Sequence, residues 1–398
     1  NVLDVDELMA FGGEETPTAI DTISNELPFQ GINLEGSYSA KKVKYEDYDI
    51  GDIDGLVSYA NDKLDITSAK MKLDGKSISM NGYLDKPMGF MYNEQIISGD
   101  LYIEAEEINA NKYLSETDNS EEIEGIISVP QSIDIDIYPK IKTLIYDNYT
   151  LTNTSGKINI ENGVASLIGG ETKLFNGVVN FDGAYNTSEV GKALFDFKYD
   201  MSDINFTIMF EESETFRILA PIAKYIDGIF NSNLIVSGPI GNDMMPDLTK
   251  LTASGFLETV KGKVNGFEPL SKVGNVLGIN SIGNLDIKDS KNWFEVKDGR
   301  VILKDHDYAF DDMSFTVGGN HGIDQSIDYQ IKAVIPRDKL KQANLGKTLE
   351  MGMSEIEKAA TSRGVDISLG ENIFMDIYLT GTLMKPKVKI ILFIQFTF

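Results

Sequence analysis

Two histidines, His306 in "KDHDY" and His321 in "GGNHG", are the side chains best suited to proton transfer or metal binding near neutral pH. A metal centre needs further ligands at set spacings, and neither stretch supplies them, so both histidines read as surface turns. "GKT" at 346–348 imitates the tail of a phosphate-binding loop, but Lys341 stands where the loop's first glycine belongs and a helical pattern surrounds it. The acidic strings "GDIDG" at 51–55 and "IDIDI" at 133–137, with Asp134 and Asp136, suggest calcium. Their alternation with isoleucine accounts for them as the wet face of a strand. The sequons at Asn148 and Asn205 matter only in a eukaryotic secretory protein. No residue set carries a reaction, and the expectation is a protein that is not an enzyme, with no catalytic residue, metal or cofactor.

Charge narrows the partners. The 398 residues hold 36 Lys and Arg against 62 Asp and Glu, a formal net charge of -26. Such a chain repels phosphate backbones and anionic headgroups, so nucleic acid is excluded as a partner class. There is no cysteine, hence no disulfide framework and no thiolate metal site. No run reaches the roughly 20 apolar residues that span a bilayer, and "KIILFIQFTF" at the end reads as a last strand. The first residue is Asn, which leads us to expect a processed or shortened start from which a signal or anchor has been lost.

The strongest pattern is a threefold repeat. A shift of 101 residues lays Tyr45, Tyr48, Gly55 and Gly82 on Tyr146, Tyr149, Gly156 and Gly183, and a shift of 136 lays Gly163 and Gly183 on Gly299 and Gly319. Apolar positions follow the same registers. Ile158 and Ile160 match Val57 and Tyr59, and Phe294 and Val296; Ala165 and Leu167 match Leu64 and Ile66, and Val301 and Leu303. Val179 and Phe181 match Ile78 and Met80, and Phe315 and Val317.

The elements that must carry these residues are hairpins. Four residues separate each pair of flanking positions: "ANDK" in copy one, "ENGV" in copy two and "KDGR" in copy three. Short loops of Gly, Asn and Asp close antiparallel strands. Side-chain alternation then puts Ile158, Ile160, Ala165 and Leu167 on one apolar face and Lys157, Asn159 and Ser166 on the other. Two stretches break the β pattern with helical spacing: 215–231, interrupted by Pro221, and 345–362, where Leu345, Leu349, Met353, Ile356 and Ala360 recur. Residues 12–26 and 111–125 are acidic and weakly patterned, and read as exposed loops. The expected segments are 1–125 with copy one, 126–200 with copy two, and 201–398 with copy three and both helices.

Beside this reading stands a resemblance. The stretch from "SNLIVSGPIGNDMMPDLTKL" to "VGNVLGI" at 232–279, "VKDGRVILKDHDYAFDDMSFTVGGNHG" and its continuation at 296–340, and "LTGTLMKPKVKI" at 379–390 resemble, in that order, the C-terminal region of the AsmA family of bacterial envelope proteins. The resemblance covers about 200–398. It implies an elongated, bent antiparallel sheet, a repeating β-groove with a hydrophobic concave face, like those of bridge-like lipid transfer proteins. It further implies a periplasmic protein held in the inner membrane by an N-terminal helix absent from this chain, moving phospholipid towards the outer membrane and supporting outer membrane biogenesis.

Phospholipid acyl chains are the expected partner, with outer membrane components as further candidates. The expected groove residues are Val57, Tyr59, Leu64, Ile66, Ile78 and Met80 in copy one. Ile158, Ile160, Leu167, Val179 and Phe181 follow in copy two, and Phe294, Val296, Val301, Leu303, Phe315 and Val317 in copy three. The rival readings are an envelope assembly factor or scaffold without lipid cargo, and a surface adhesin or glycan binder.

Overall fold

The computed structural model describes residues 2–4, 31–45, 48–114, 126–242, 244–277, 279, 284–340, 344–363, 368–383, 385–393 and 396–397. The fold is mainly β and mostly antiparallel, with a few short helices, as the alternation requires. It divides into two compact units. The first comprises Asn1–Leu174, Val178–Tyr199 and Pro239–Pro246; the second comprises Phe175–Gly177, Asp200–Gly238 and Asp247–Phe398.

In the first unit β1 (Val2–Asp4) pairs in parallel with β2 (Leu34–Tyr45). Next to it lie, in order, β3 (Tyr48–Ala60), β4 (Lys63–Leu73), β5 (Lys76–Asp85) and β6 (Ile97–Asn109), each antiparallel to the last. β6 pairs in parallel with β7 (Ile133–Tyr146), across the expected boundary at 125/126, and antiparallel order resumes with β8 (Tyr149–Glu161) and β9 (Val164–Leu174). Short helices α1 (Pro87–Asn93) and α2 (Asn111–Leu114) follow β5 and β6. α2 replaces the start of the expected acidic loop, whose residues 115–125 lie outside the described residues, as do 12–26.

β10 (Gly177–Asn186) and β11 (Leu194–Asn205) lead on to α3 (Phe206–Glu212), α4 (Glu214–Leu219) and a 3-10 turn at Pro221–Tyr225. In the second unit the antiparallel series β12 (Ile226–Pro239), β13 (Thr252–Asn265), β14 (Asn284–Lys297), β15 (Arg300–Phe310), β16 (Met313–Gly322) and β17 (Ser326–Pro336) runs without interruption. Helices α5 (Glu268–Leu277), α6 (Arg337–Leu340) and α7 (Asn344–Thr361) are inserted between strands. The two-residue strand β18 (Ser368–Leu369) precedes β19 (Asn372–Thr382), which pairs with β17 and with β20 (Lys385–Phe393). β21 (Phe396–Thr397) returns to β18.

The repeat is a repeat of structure. Under the 101-residue shift β3, β4 and β5 coincide end for end with β8, β9 and β10; under the 136-residue shift β9 and β10 coincide with β15 and β16. Each hairpin closes on two residues of positive φ: Asn61 and Asp62 (53° and 56°), Asn162 and Gly163 (52° and 78°), Asp298 and Gly299 (51° and 68°). That is the mirror-image turn whose twist matches the strands it joins, and Asn, Asp and Gly tolerate it best. A left-handed bulge residue also recurs, at Asp52, Asn153 and Asp289 (48°, 55° and 50°). After the third strand the chain returns a backbone N–H to the turn carbonyl: Lys86 to Asp62 at 2.7 Å, Thr187 to Gly163 at 2.9 Å, Ile323 to Gly299 at 3.0 Å.

One expectation needs correction, and one helix lies where none was expected. The segment 215–231 is not one helix. Ser213 accepts the Phe216 N–H and starts α4, which stops at Leu219 before Pro221, a residue with no N–H to continue the ladder; Ile226–Phe230 then enter β12. Its apolar side chains still converge, with the Phe230 ring 4.5 Å from Phe206 and 5.9 Å from Phe216. The unexpected helix is α5. The 136-residue shift carries β7 onto 269–282, yet Glu268–Leu277 is a helix, and β13 takes the place beside β14. "IDIDIY" alternates every second residue, whereas Leu270, Val273 and Leu277 are spaced by three and four.

Candidate functional site

Two cross-strand rows cover one face of the first unit. The first runs Gly36, Val57, Ile66, Gly82, Leu101, Ile137, Ile158, Leu167 from β2 to β9. The second runs Leu34, Tyr59, Leu64, Leu84, Gly99, Ile135, Ile160, Ala165. All the copy-one residues expected in a groove, with Ile158, Ile160 and Leu167, share this face; Ile78 and Met80 stand beside it opposite Ala105 and Ile103. Most of these side chains are half-buried, Ile66 is buried, and Leu34 is 58% exposed. In copy two Val179 is buried and the Phe181 ring lies over Gly170, so close that a Cβ there would meet it at 2.2 Å.

The opposite face of this unit is polar. Burial opposes the Asp136 carboxylate, but contacts from Lys157 at 2.7 Å and Asn159 at 2.9 Å outweigh it and hold its pKa below the usual value. Tyr102 and Tyr138 stack nearby, centroids 4.7 Å apart. A hollow of about 800 Å³ opens across β3 to β8. Its lining takes consecutive residues from each strand: the cross-strand row Met71, Ile78, Ala105, Ile141 and Thr154, which continues the face of the apolar rows, and polar neighbours such as Lys70 and Lys72, Glu104 and Glu106, Lys140 and Lys142. Lys72 bridges Asp52 at 2.7 Å and Lys140 bridges Glu104 at 3.6 Å.

In the second unit the corresponding face is covered by the chain's own helices. Phe294 faces Leu303 and Val296 faces Val301, the same pairs as in copies one and two, but here Val296 and Val301 are buried. Phe315 and Val317 pack against a core of Met313, Ile331, Ala333, Ile335, Met375 and Ile377 that also takes in Val273 and Leu277 of α5 and Leu340 of α6. Burying each of those helix side chains contributes about 1.5–3 kcal/mol. Helix α7 forms where expected but leaves Ile356 43% exposed; the side chains of Leu345, Leu349 and Met353 lie outside the described residues.

Neither histidine is a surface turn. His306 lies in β15, with Nε2 3.4 Å from the Ser290 hydroxyl and its ring 4.7 Å from Tyr308, whose hydroxyl donates to Asn292. His321 lies in β16 and is buried. Its Nε2 is 2.9 Å from the Leu219 carbonyl, which can only accept, so Nε2 carries the hydrogen and Nδ1, at 2.7 Å, accepts from the Tyr329 hydroxyl. Burial pushes the His321 pKa down, and neighbouring Arg300 adds to this against the Leu219 bond. The bulge between Leu303 and His306 resets which β15 residues share a face, and the glycines of "GGNHG" around His321 imitate a turn, so pattern alone missed both.

Compared with known proteins, the chain matches no family model, no curated protein and no solved structure.

Proposed function

We propose that the protein is a non-enzymatic carrier of phospholipid, in which acyl chains lie on the apolar rows of the first unit while headgroups stay in water. The observation that carries this reading is the pair of rows unbroken over eight strands and only half-buried among the described residues. Keeping each CH₂ of a lipid against such a surface is worth about 0.8 kcal/mol relative to water, and no reacting group is needed. The AsmA-like stretches support placing this transport in the periplasm, between inner and outer membrane, with an N-terminal helix as anchor.

The test is mass spectrometry of organic extracts from the purified protein, joined to photo-crosslinking. A crosslinker at Ile158 captures phospholipid, and one at neighbouring Lys157 does not. Lipid-free extracts with equal, empty results at both positions sink the proposal.

A second reading, a scaffold without cargo, is favoured by the second unit, where α5 and α6 fill the face that the first unit leaves half-open. A crosslinker at Phe315 then captures no lipid under either reading, so Ile158 is the position that decides.

A further inference from the structure

We infer that the free edge of β20 in the second unit is a docking site for an extended protein strand that alternates acidic and apolar side chains. Such docking is independent of the lipid-carrier reading and concerns a different surface. Among the described residues β20 pairs with β19 alone, with Thr382 facing Lys385 at one end and Phe374 facing Phe393 at the other. The backbone N–H and C=O groups of a strand point alternately to its two edges, so about half of those in β20 face away from β19 with no strand to meet them. Pro386 suits that side, since it has no N–H to give to a ladder. The strand is nonetheless held in place: Pro386 is buried, and Val388, Ile390 and Leu392 pack against the core that contains Val273 and Leu277 of α5. A fixed, open edge is the surface to which an extended segment adds by backbone hydrogen bonds.

Charge says which strand fits. Alternation sends Pro386, Val388, Ile390 and Leu392 to the core and Lys385, Lys387, Lys389, Ile391 and Phe393 to the other face, where all five are exposed. Across β19 the three lysines face Thr382, Thr380 and Tyr378. The acids on this face of β17 and β19 are Asp328 and Asp376, which stand opposite Thr380 and Lys332, and Asp324 in the turn before β17 is already bound by Ser326. None of the three β20 lysines is in an ion pair among the described residues. Lysine and proline on an edge guard against indiscriminate pairing, and a second β20 would bring three more lysines to the same line. An acidic strand turns that barrier into complementarity, because opposite charges on facing strands attract. On a molecule of net charge -26 such a partner is repelled by most of the surface, so the edge fixes where it docks.

The probe is a fluorescein-labelled peptide of the same length as β20, nine residues, that alternates glutamate with valine. Beside it stand the same design with lysine for glutamate, and the acidic peptide interrupted by a central proline. The full chain should bind the acidic peptide saturably in fluorescence anisotropy, the basic one about tenfold more weakly, and the proline peptide not at all. Amide exchange of residues 385–393 should slow in the complex, which adsorption by charge alone would not bring about. Lys387→Glu combined with Lys389→Glu should reverse the preference between the acidic and basic peptides, and because both side chains are exposed the melting transition should not move. No binding of the acidic peptide, equal binding of both peptides, or binding that leaves exchange unchanged overturns the inference. So does sedimentation showing the edge already closed by a second copy of the chain. Lipid in organic extracts reports on the carrier reading separately, because no residue of β20 lies on the apolar rows.

Discussion

Thr154 and Thr172 face each other inside the first unit with their hydroxyl oxygens 2.9 Å apart, both buried. The repeat registers put Ile53 and Met71 at these positions in copy one, and Ser290 and Tyr308 in copy three. One cross-strand site is thus apolar, then a hydrogen-bonded pair, then part of the network with His306 and Asn292. Replacing either threonine by valine strands the other hydroxyl, although Thr172 keeps a bond to the Thr152 carbonyl at 3.3 Å. Each single variant should lose about 1–3 kcal/mol in denaturant unfolding, and the double variant less than the sum.

Close approach of strands dictates Gly82 and its counterpart Gly319. A Cβ at Gly82 would sit 2.0 Å from the Asp100 carbonyl oxygen, and one at Gly319 2.3 Å from that of Asp328, at φ values of 143° and 141°. Alanine at either should cost about 2–4 kcal/mol. Gly36→Ala, with nothing within 4 Å, should stay within about 0.5 kcal/mol, and urea midpoints separate the two cases.

The lowered pKa of His321 sets a pH dependence. Its folded value lies below the unfolded value of about 6.5, so the folded state binds fewer protons. The stability gained from keeping it neutral is fully present above the unfolded pKa and is lost as pH falls towards the lowered one. Arg300 and Tyr329 are the groups that face it. Unfolding free energy measured from about pH 8 down to about pH 5 should fall more steeply for the native chain than for His321→Gln.

Half-open and filled faces should respond differently to charge. Ile377 is fully buried in the second unit, and Ile377→Glu should cost about 4 kcal/mol or more or prevent folding. Ile158 is half-buried, and Ile158→Glu should cost about 1–2 kcal/mol while removing bound lipid from extracts. Equal destabilisation at the two positions would return the first unit to an ordinary core.

Much of this was legible because it is local. The facing pairs Val57 and Ile66, Ile158 and Leu167, Phe294 and Leu303 follow from a two-residue turn and a period of two. What escaped depends on distant partners. Whether Ile226 and Phe230 continue a helix or enter a strand is decided by β13, which pairs with both through Val264 and Thr259. Helix α5 occupies the place that the repeat gives to a strand like β7, and the spacing of Leu270, Val273 and Leu277 is too short a signal to stand out until Val273 and Leu277 are seen in the buried cluster. The bulges at Asp52, Asn153 and Asp289 shift alternation part-way along a strand, which a fixed period cannot follow.

The parallel step between β6 and β7 has a consequence for growth. Strands β2 to β6 are five, an odd number, and strict antiparallel order would start the next copy upside down, its turns at the other edge. One parallel pairing cancels that reversal, so β7 runs as β2 does and the Asn162–Gly163 turn lies at the same edge as Asn61–Asp62. The five-strand block thereby becomes a tile that can be laid again by simple translation. A gene that duplicated 101 codons would gain one more tile with every apolar row still in line.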